Sequence, residues 1–145
     1  MTDHDEMAGL FAELDKDSAS RDEILKPPFA YPGSKSKSVK KILPYLPYTG
    51  VYVEAFGGSA AVLLARAESK LEVFNDRYAG VTAFYQCMRS ERLTHELCDW
   101  LELTVHSREE FVECKSIWKD CSDPVERAAR WYYMTMYSFA RLGRN

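Results

Sequence analysis

The chemistry-bearing residues of this chain gather between positions 53 and 76. In "VEAFGGSAAVLL", residues 53–64, a short apolar run ends in Glu54, meets Gly57 and Gly58, and passes into helix-forming residues. Glycines at the carboxyl end of a strand let the backbone turn sharply and let a ligand come close. Asp76 stands 18 residues after Gly58 and ends a second strand-like run, where an acid accepts hydrogen bonds from ribose hydroxyls and selects against a 2′-phosphate. The turn carries no G-x-x-x-x-G-K-[ST] and no complete G-x-G-x-x-G, so it is no phosphate cradle. Glu54 repels a pyrophosphate and suits a cation. An adenosine-like ligand with an ammonium group and no phosphate satisfies both acids, and S-adenosylmethionine is the common cofactor of that description. A plainer alternative stays open: a strand-to-helix junction, with Asp76 capping the next helix and Lys35 a solvated lysine.

The elements that must position these residues can be read along the chain. Residues 1–26 form an acidic leader in which Met7, Leu10, Phe11 and Leu14 keep helical spacing until Ser18, Ala19 and Ser20 interrupt it. Pro27, Pro28 and Pro32 hold the next segment extended, and Gly33 permits a tight turn. Ser34 or Ser36 is expected to cap a helix through Val39, Ile42 and Leu43 that Pro44 and Pro47 end. "GVYVEAF" predicts a buried strand, "SAAVLLARAE" a helix, "KLEVFND" a second strand and "AGVTAFYQCMRSE" a helix. The order is that of a βαβ unit with parallel strands and a right-handed crossover.

Beyond residue 90 the pattern is helical only. Leu93, Leu97 and Leu101 line one face, and Ser107 with Glu110 forms a capping box. Asp123, Pro124 and Glu126 supply a cap, a first-turn proline and a third-position acid. The helix they open is expected to run to Gly143. The domain reading is therefore an acidic tail over 1–26, a cofactor-binding βαβ unit over 27–90, and a helical segment over 91–145.

Composition fits a folded domain: 46% of the residues are hydrophobic, 13% aromatic and 28% charged. No stretch approaches the roughly 20 apolar residues that span a bilayer, and the N-terminus lacks a signal-peptide core, so a cytoplasmic, non-membrane protein is expected. Cys87, Cys98, Cys114 and Cys121 form no C-x-x-C pair and have no nearby histidine at ligand spacing. They read as buried free thiols in helical segments, with no metal. The net charge of −3 conceals a leader (residues 1–23) at −6 and a body at +3, so overall acidity does not argue against a nucleic-acid partner.

"FAYPGSKSK…KKILPYLP", "YVEAFGGSAAVLL" and "SKLEVFNDRYAGVTAFYQ" stand in one order and spacing. With them the chain resembles the D12-class, Dam-like adenine-N6 DNA methyltransferases, over roughly Pro27 to Met88. "RAARWYYMTMYSFARLG" is similar to the family's aromatic helix near the start of its target-recognition region. The resemblance implies a partial Rossmann-like methyltransferase sheet, α/β in class, followed by the start of that helical region. It implies that Tyr31, Gly33 and Lys35 line the cofactor pocket, with Lys35 reaching toward the target base. Glu54, Phe56, Gly58 and Ser59 match the cofactor motif, and Asp76, preceded by Asn75, matches the ribose acid. The implied cofactor is S-adenosylmethionine, the implied partner double-stranded DNA, and the implied setting site-specific modification of the restriction–modification type in a bacterial or phage-infected cell. Ala55 departs from the family's usual proline and Ala60 from a common glycine.

The family's catalytic [Asp/Asn]-Pro-Pro-[Tyr/Phe] motif is absent from the 145 residues. In that motif a side-chain oxygen and a proline carbonyl accept the amino protons of adenine. They thereby localise a lone pair that the ring otherwise delocalises. "Lys26-Pro27-Pro28-Phe29" has lysine where the acceptor belongs, and "Asp123-Pro124-Val125" lacks the second proline and the aromatic. No catalytic residue is therefore assigned. The chain alone is expected to be inactive, with the motif supplied by a second polypeptide. The alternative is a non-catalytic remnant or binding module that keeps affinity for the cofactor or DNA. Arg141 and Arg144 are expected to touch phosphates. Arg108, Lys115, Lys119, Arg127 and Arg130 are read as solvated helix faces. A sheet of this few strands is also expected to expose apolar surface.

Overall fold

A computed structural model describes residues 25–138. The leader up to residue 24, and Arg141 and Arg144, lie outside the described residues. The chain is mixed α/β and divides into two units: one holds Lys35–Asn75, the other Pro28–Ser34 and the chain from Asp76 onward.

The first unit contains helix α1 (Val39–Ile42) and strands β1 (Val51–Glu54) and β2 (Leu71–Phe74). The strands pair in parallel, with Val51 opposite Leu71 and Glu54 opposite Phe74, as the sequence predicts. Val39, Ile42, Leu43 and Leu46 present an apolar face that packs with Val62, Ala65 and Tyr52. The helix expected here is shorter than predicted. Single 3-10 turns, Lys35–Lys37 and Leu43–Tyr45, flank it, and Pro44 lies inside the second turn rather than stopping the run. Neither Ser34 nor Ser36 is its N-cap residue; Ser38 occupies that position without a side-chain bond.

Two further expectations fail in this unit. The segment predicted as the helix "SAAVLLARAE" is a succession of turns. Ala60 adopts φ +54°, a left-handed conformation in which an L-residue cannot propagate a right-handed helix and that costs about 1–2 kcal/mol without glycine. Scattered helical bonds remain, Leu64 N–H to the Ala60 carbonyl at 2.9 Å, and Ala65 N–H at 3.1 Å and Arg66 N–H at 3.0 Å to the Val62 carbonyl. Nor is the first strand buried. Val51, Val53, Leu71 and Val73 share one face of the sheet and are 41–57% exposed. Below the turns, Arg66 is buried and bonds Ser69 at 2.8 Å and Glu72 at 3.3 Å, with its guanidinium 3.9 Å from the Tyr52 ring centroid.

The second unit is built from α2 (Ala79–Met88), α3 (Glu91–Leu103), α4 (Arg108–Ile117) and α5 (Pro124–Tyr137). Its centre is aromatic. Phe29 is 3% exposed and meets Phe84 and Trp131 edge-on, at ring-centroid distances of 5.2 and 5.1 Å. Gly80 on α2 admits the Trp131 ring, since a Cβ there would lie 2.2 Å from Trp131 Cδ1. The predicted caps hold: Ser107 Oγ accepts from Glu110 N–H at 3.0 Å, and Asp123 Oδ1 from Glu126 N–H at 2.7 Å. Glu110 does not return the capping-box bond. Its carboxylate lies 3.6 Å from Arg130, which also bonds Glu126 at 2.9 Å and approaches Glu113 at 3.4 Å. Arg130, read from sequence as solvated, is therefore an internal tie between α4 and α5.

Smaller corrections concern α3, α5 and the thiols. Of the α3 leucines only Leu97 is fully buried. Helix α5 ends at Tyr137, because Ser138 at φ −78° and ψ 150° leaves helical geometry. Cys87, Cys114 and Cys121 are buried free thiols as expected, but Cys98 is exposed, and Cys121 lies between helices. Burial, with a hydrogen bond to Glu110, pushes the Cys114 thiol up to about 12, so it stays protonated and inert.

Candidate functional site

The turn that follows β1 is fixed by the residue that follows β2. Asn75 N–H donates to the Glu54 carbonyl at 2.9 Å, and Gly57 N–H donates to the Asn75 carbonyl at 2.9 Å. The Asn75 side-chain amide donates to the Ala55 carbonyl at 2.8 Å. One residue thus satisfies the last carbonyl of β1 and two backbone groups of the turn beyond it, where each would otherwise need a partner. Phe74 lies beneath the same turn. A Cβ on Gly57 would sit 2.0 Å from its ring, so position 57 accepts only glycine without rearrangement. Gly58 takes φ +52°, which glycine adopts freely. Asn75 was noted in the sequence only as the neighbour of Asp76. An asparagine at the end of a strand is the one signal that could have marked its clamping role.

Four of the predicted site residues therefore share this turn. Gly58 and Ser59 are buried, while Phe56 is 89% exposed. Glu54 is half-buried, and its Oε2 accepts from Leu63 N–H at 2.9 Å. Burial pushes its carboxyl above the ordinary range, partly opposed by the Leu63 bond and the Arg66 charge. Lys35 is exposed in the 3-10 turn at the start of the same unit.

The remaining three residues belong to the second unit. Asp76 Oδ1 accepts from Tyr78 N–H at 2.8 Å, an Asx turn that leads into α2. It does not cap α2, whose N-cap residue is Tyr78. Tyr31 lies within electrostatic reach of Asp76: burial first, then the Asp76 charge and Tyr78, push its phenol up. Gly33 takes φ +77° and closes a tight turn in which Ser34 N–H donates to the Tyr31 carbonyl at 2.9 Å. Phe29 of "KPPF" lies in the aromatic core and does not present a stacking face to solvent.

Among the described residues no cluster of histidine, cysteine or acid can hold a metal, and no helix is long and apolar enough to cross a membrane. Comparison with known families gives one result that covers most of the chain: the profile described as "D12 class N6 adenine-specific DNA methyltransferase" matches residues 31–144. A search of curated proteins finds no match.

Proposed function

Because the chain belongs to the D12 class of N6 adenine-specific DNA methyltransferases, we propose that it takes part in methyl transfer from S-adenosylmethionine to adenine in duplex DNA, and that its share is to hold the donor. The observation that carries this reading is the turn after β1 clamped by Asn75, with the half-buried Glu54 carboxylate at its start. The chemistry of the residues fits the donor. Glu54 has one oxygen engaged by Leu63 N–H, and the other suits the donor's ammonium. Asp76 suits the ribose hydroxyls. Phe56, Gly58 and Ser59 contribute the floor of the turn, and Tyr31, Gly33 and Lys35 the family's first motif. When bound, S-adenosylmethionine supplies an activated methyl group. Everything the chain adds is positional, and orientation alone can account for a large part of a transfer barrier.

The parallel β1–β2 pair is in this reading the donor-binding part of a Rossmann-like sheet. In this reading a second polypeptide supplies the group that activates the adenine amine, and the protein acts in the cytoplasm. Calorimetric titration with S-adenosylmethionine tests the proposal. The wild-type chain is expected to bind and Asp76→Ala to bind at least about tenfold more weakly, the scale of a lost hydrogen bond to a charged group. Absence of heat from the wild type overturns the donor assignment.

A further inference from the structure

From Ile24 to Val53 the chain has five lysines and no acid, and the structure turns three of those lysines into a surface. Lys37, Lys40 and Lys41 follow i, i+3, i+4 spacing along the helical run formed by the Lys35–Lys37 turn and α1, so they share one side of it. The opposite side, Val39 with Ile42 and Leu43, is held against Val62 and Ala65. That packing fixes the lysines outward, and all three are exposed.

Their charges are not consumed by the protein. Among the described residues, Lys37, Lys40 and Lys41 have no acidic partner, whereas Arg66, Arg92 and Arg130 are each ion-paired. Lys35–Asn75 holds six basic residues against three acids. Two of those acids face inward, Glu54 onto Leu63 N–H and Glu72 onto Arg66 and Ser69 N–H. Like charges at these spacings repel by a few tenths of a kcal/mol per pair. A polyanion laid along the ridge reverses the sign of that term.

We propose that Lys37, Lys40 and Lys41 form a contact strip for the phosphodiester backbone of duplex DNA, separate from the donor turn. The inference rests on the reading that the chain acts on DNA. Lysine binds phosphate as a flexible point charge, so the strip positions the duplex without reading its sequence. Each phosphate contact releases counterions and adds about 0.9 to the slope of log K against log salt.

The test is fluorescence anisotropy of a labelled duplex titrated at several salt concentrations. It compares wild type with the combined Lys37→Gln, Lys40→Gln and Lys41→Gln variant and with Lys70→Gln, an exposed lysine of the same unit outside the helical run. The triple variant is expected to lose about 2–3 from the salt slope, equally on unrelated sequences, and Lys70→Gln to keep the wild-type slope. A triple-variant slope equal to wild type, or equal losses in the triple and Lys70 variants, overturns the strip. So does absence of DNA binding by the wild type. A change seen with poly-glutamate but not with duplex assigns the ridge to an acidic polypeptide and overturns it as well. Donor titration of the triple variant separates the two claims. Retained donor heat with an unchanged slope sinks the strip and leaves the proposed function standing. Absence of donor heat from the wild type does the reverse.

Discussion

The two units keep their shapes by different means. In the helical unit, Trp131, Phe84 and Phe29 form a close aromatic core, helices α3, α4 and α5 are capped by Ser90, Ser107 and Asp123, and Arg130 ties α4 to α5. In the strand-bearing unit, one face of the sheet is exposed and the turn after β1 hangs on a few specific bonds from Asn75 and Glu54. Apolar packing is non-directional and distributes its contribution over many atoms. A hydrogen-bonded turn concentrates it in single donors and acceptors. The helical unit should therefore answer to lost volume and the strand-bearing unit to changed backbone geometry.

The largest expected effect tests the packed side of that contrast. Trp131→Ala should cost about 3–5 kcal/mol in chemical denaturation, whereas Val53→Ser on the bare sheet face should stay within about 0.5 kcal/mol. Equal costs would mean that the sheet face is covered in solution and the contrast false.

An intermediate effect is expected at the turn. Gly57→Ala sets a methyl group against the Phe74 ring and should cost about 1–3 kcal/mol. It should also weaken donor binding in the calorimeter. Retained affinity with unchanged stability would show that the turn yields without consequence.

The smallest effect compares one substitution in both settings. Ala60 and Ala128 are each fully buried, but Ala128 lies inside α5 and Ala60 has φ +54°. Ala128→Gly should cost about 1–2 kcal/mol from helix propensity and a lost methyl. Ala60→Gly should be near neutral, because release of left-handed strain offsets the same loss. Matching melting-temperature changes would remove backbone strain from the account of this turn.

What the sequence made legible follows the same division. Both strands were readable from β-rich runs bounded by glycine and turn residues, and their parallel pairing was expected from a βαβ order, although the helix expected between them does not form. The caps at Ser107 and Asp123 were readable because they depend on residues three apart. The 59–68 segment misled because its composition is helical throughout, and one backbone angle at Ala60 decides otherwise. The β-rich run "GVYVEAF" indicated a buried strand, but burial depends on a covering layer that no local pattern encodes. Asn75 and Arg130 were missed as supports because their partners, Ala55 and Glu110, lie 20 positions distant in each case. For the site, the types and order of Glu54, Gly57, Gly58 and Asp76 were legible. The engagement of Glu54 by Leu63, and the contact of Phe74 with Gly57, needed coordinates.

The unequal burial of the cysteines has a practical side. Cys98 alone of the four is exposed, on α3, while Cys114 is buried with its thiol held up to about 12. A maleimide dye applied to the native chain near neutral pH would therefore attach at one defined place, away in sequence from the turn after β1. The molecule arrives with its own reporter position, and no engineered cysteine is required to follow it by fluorescence.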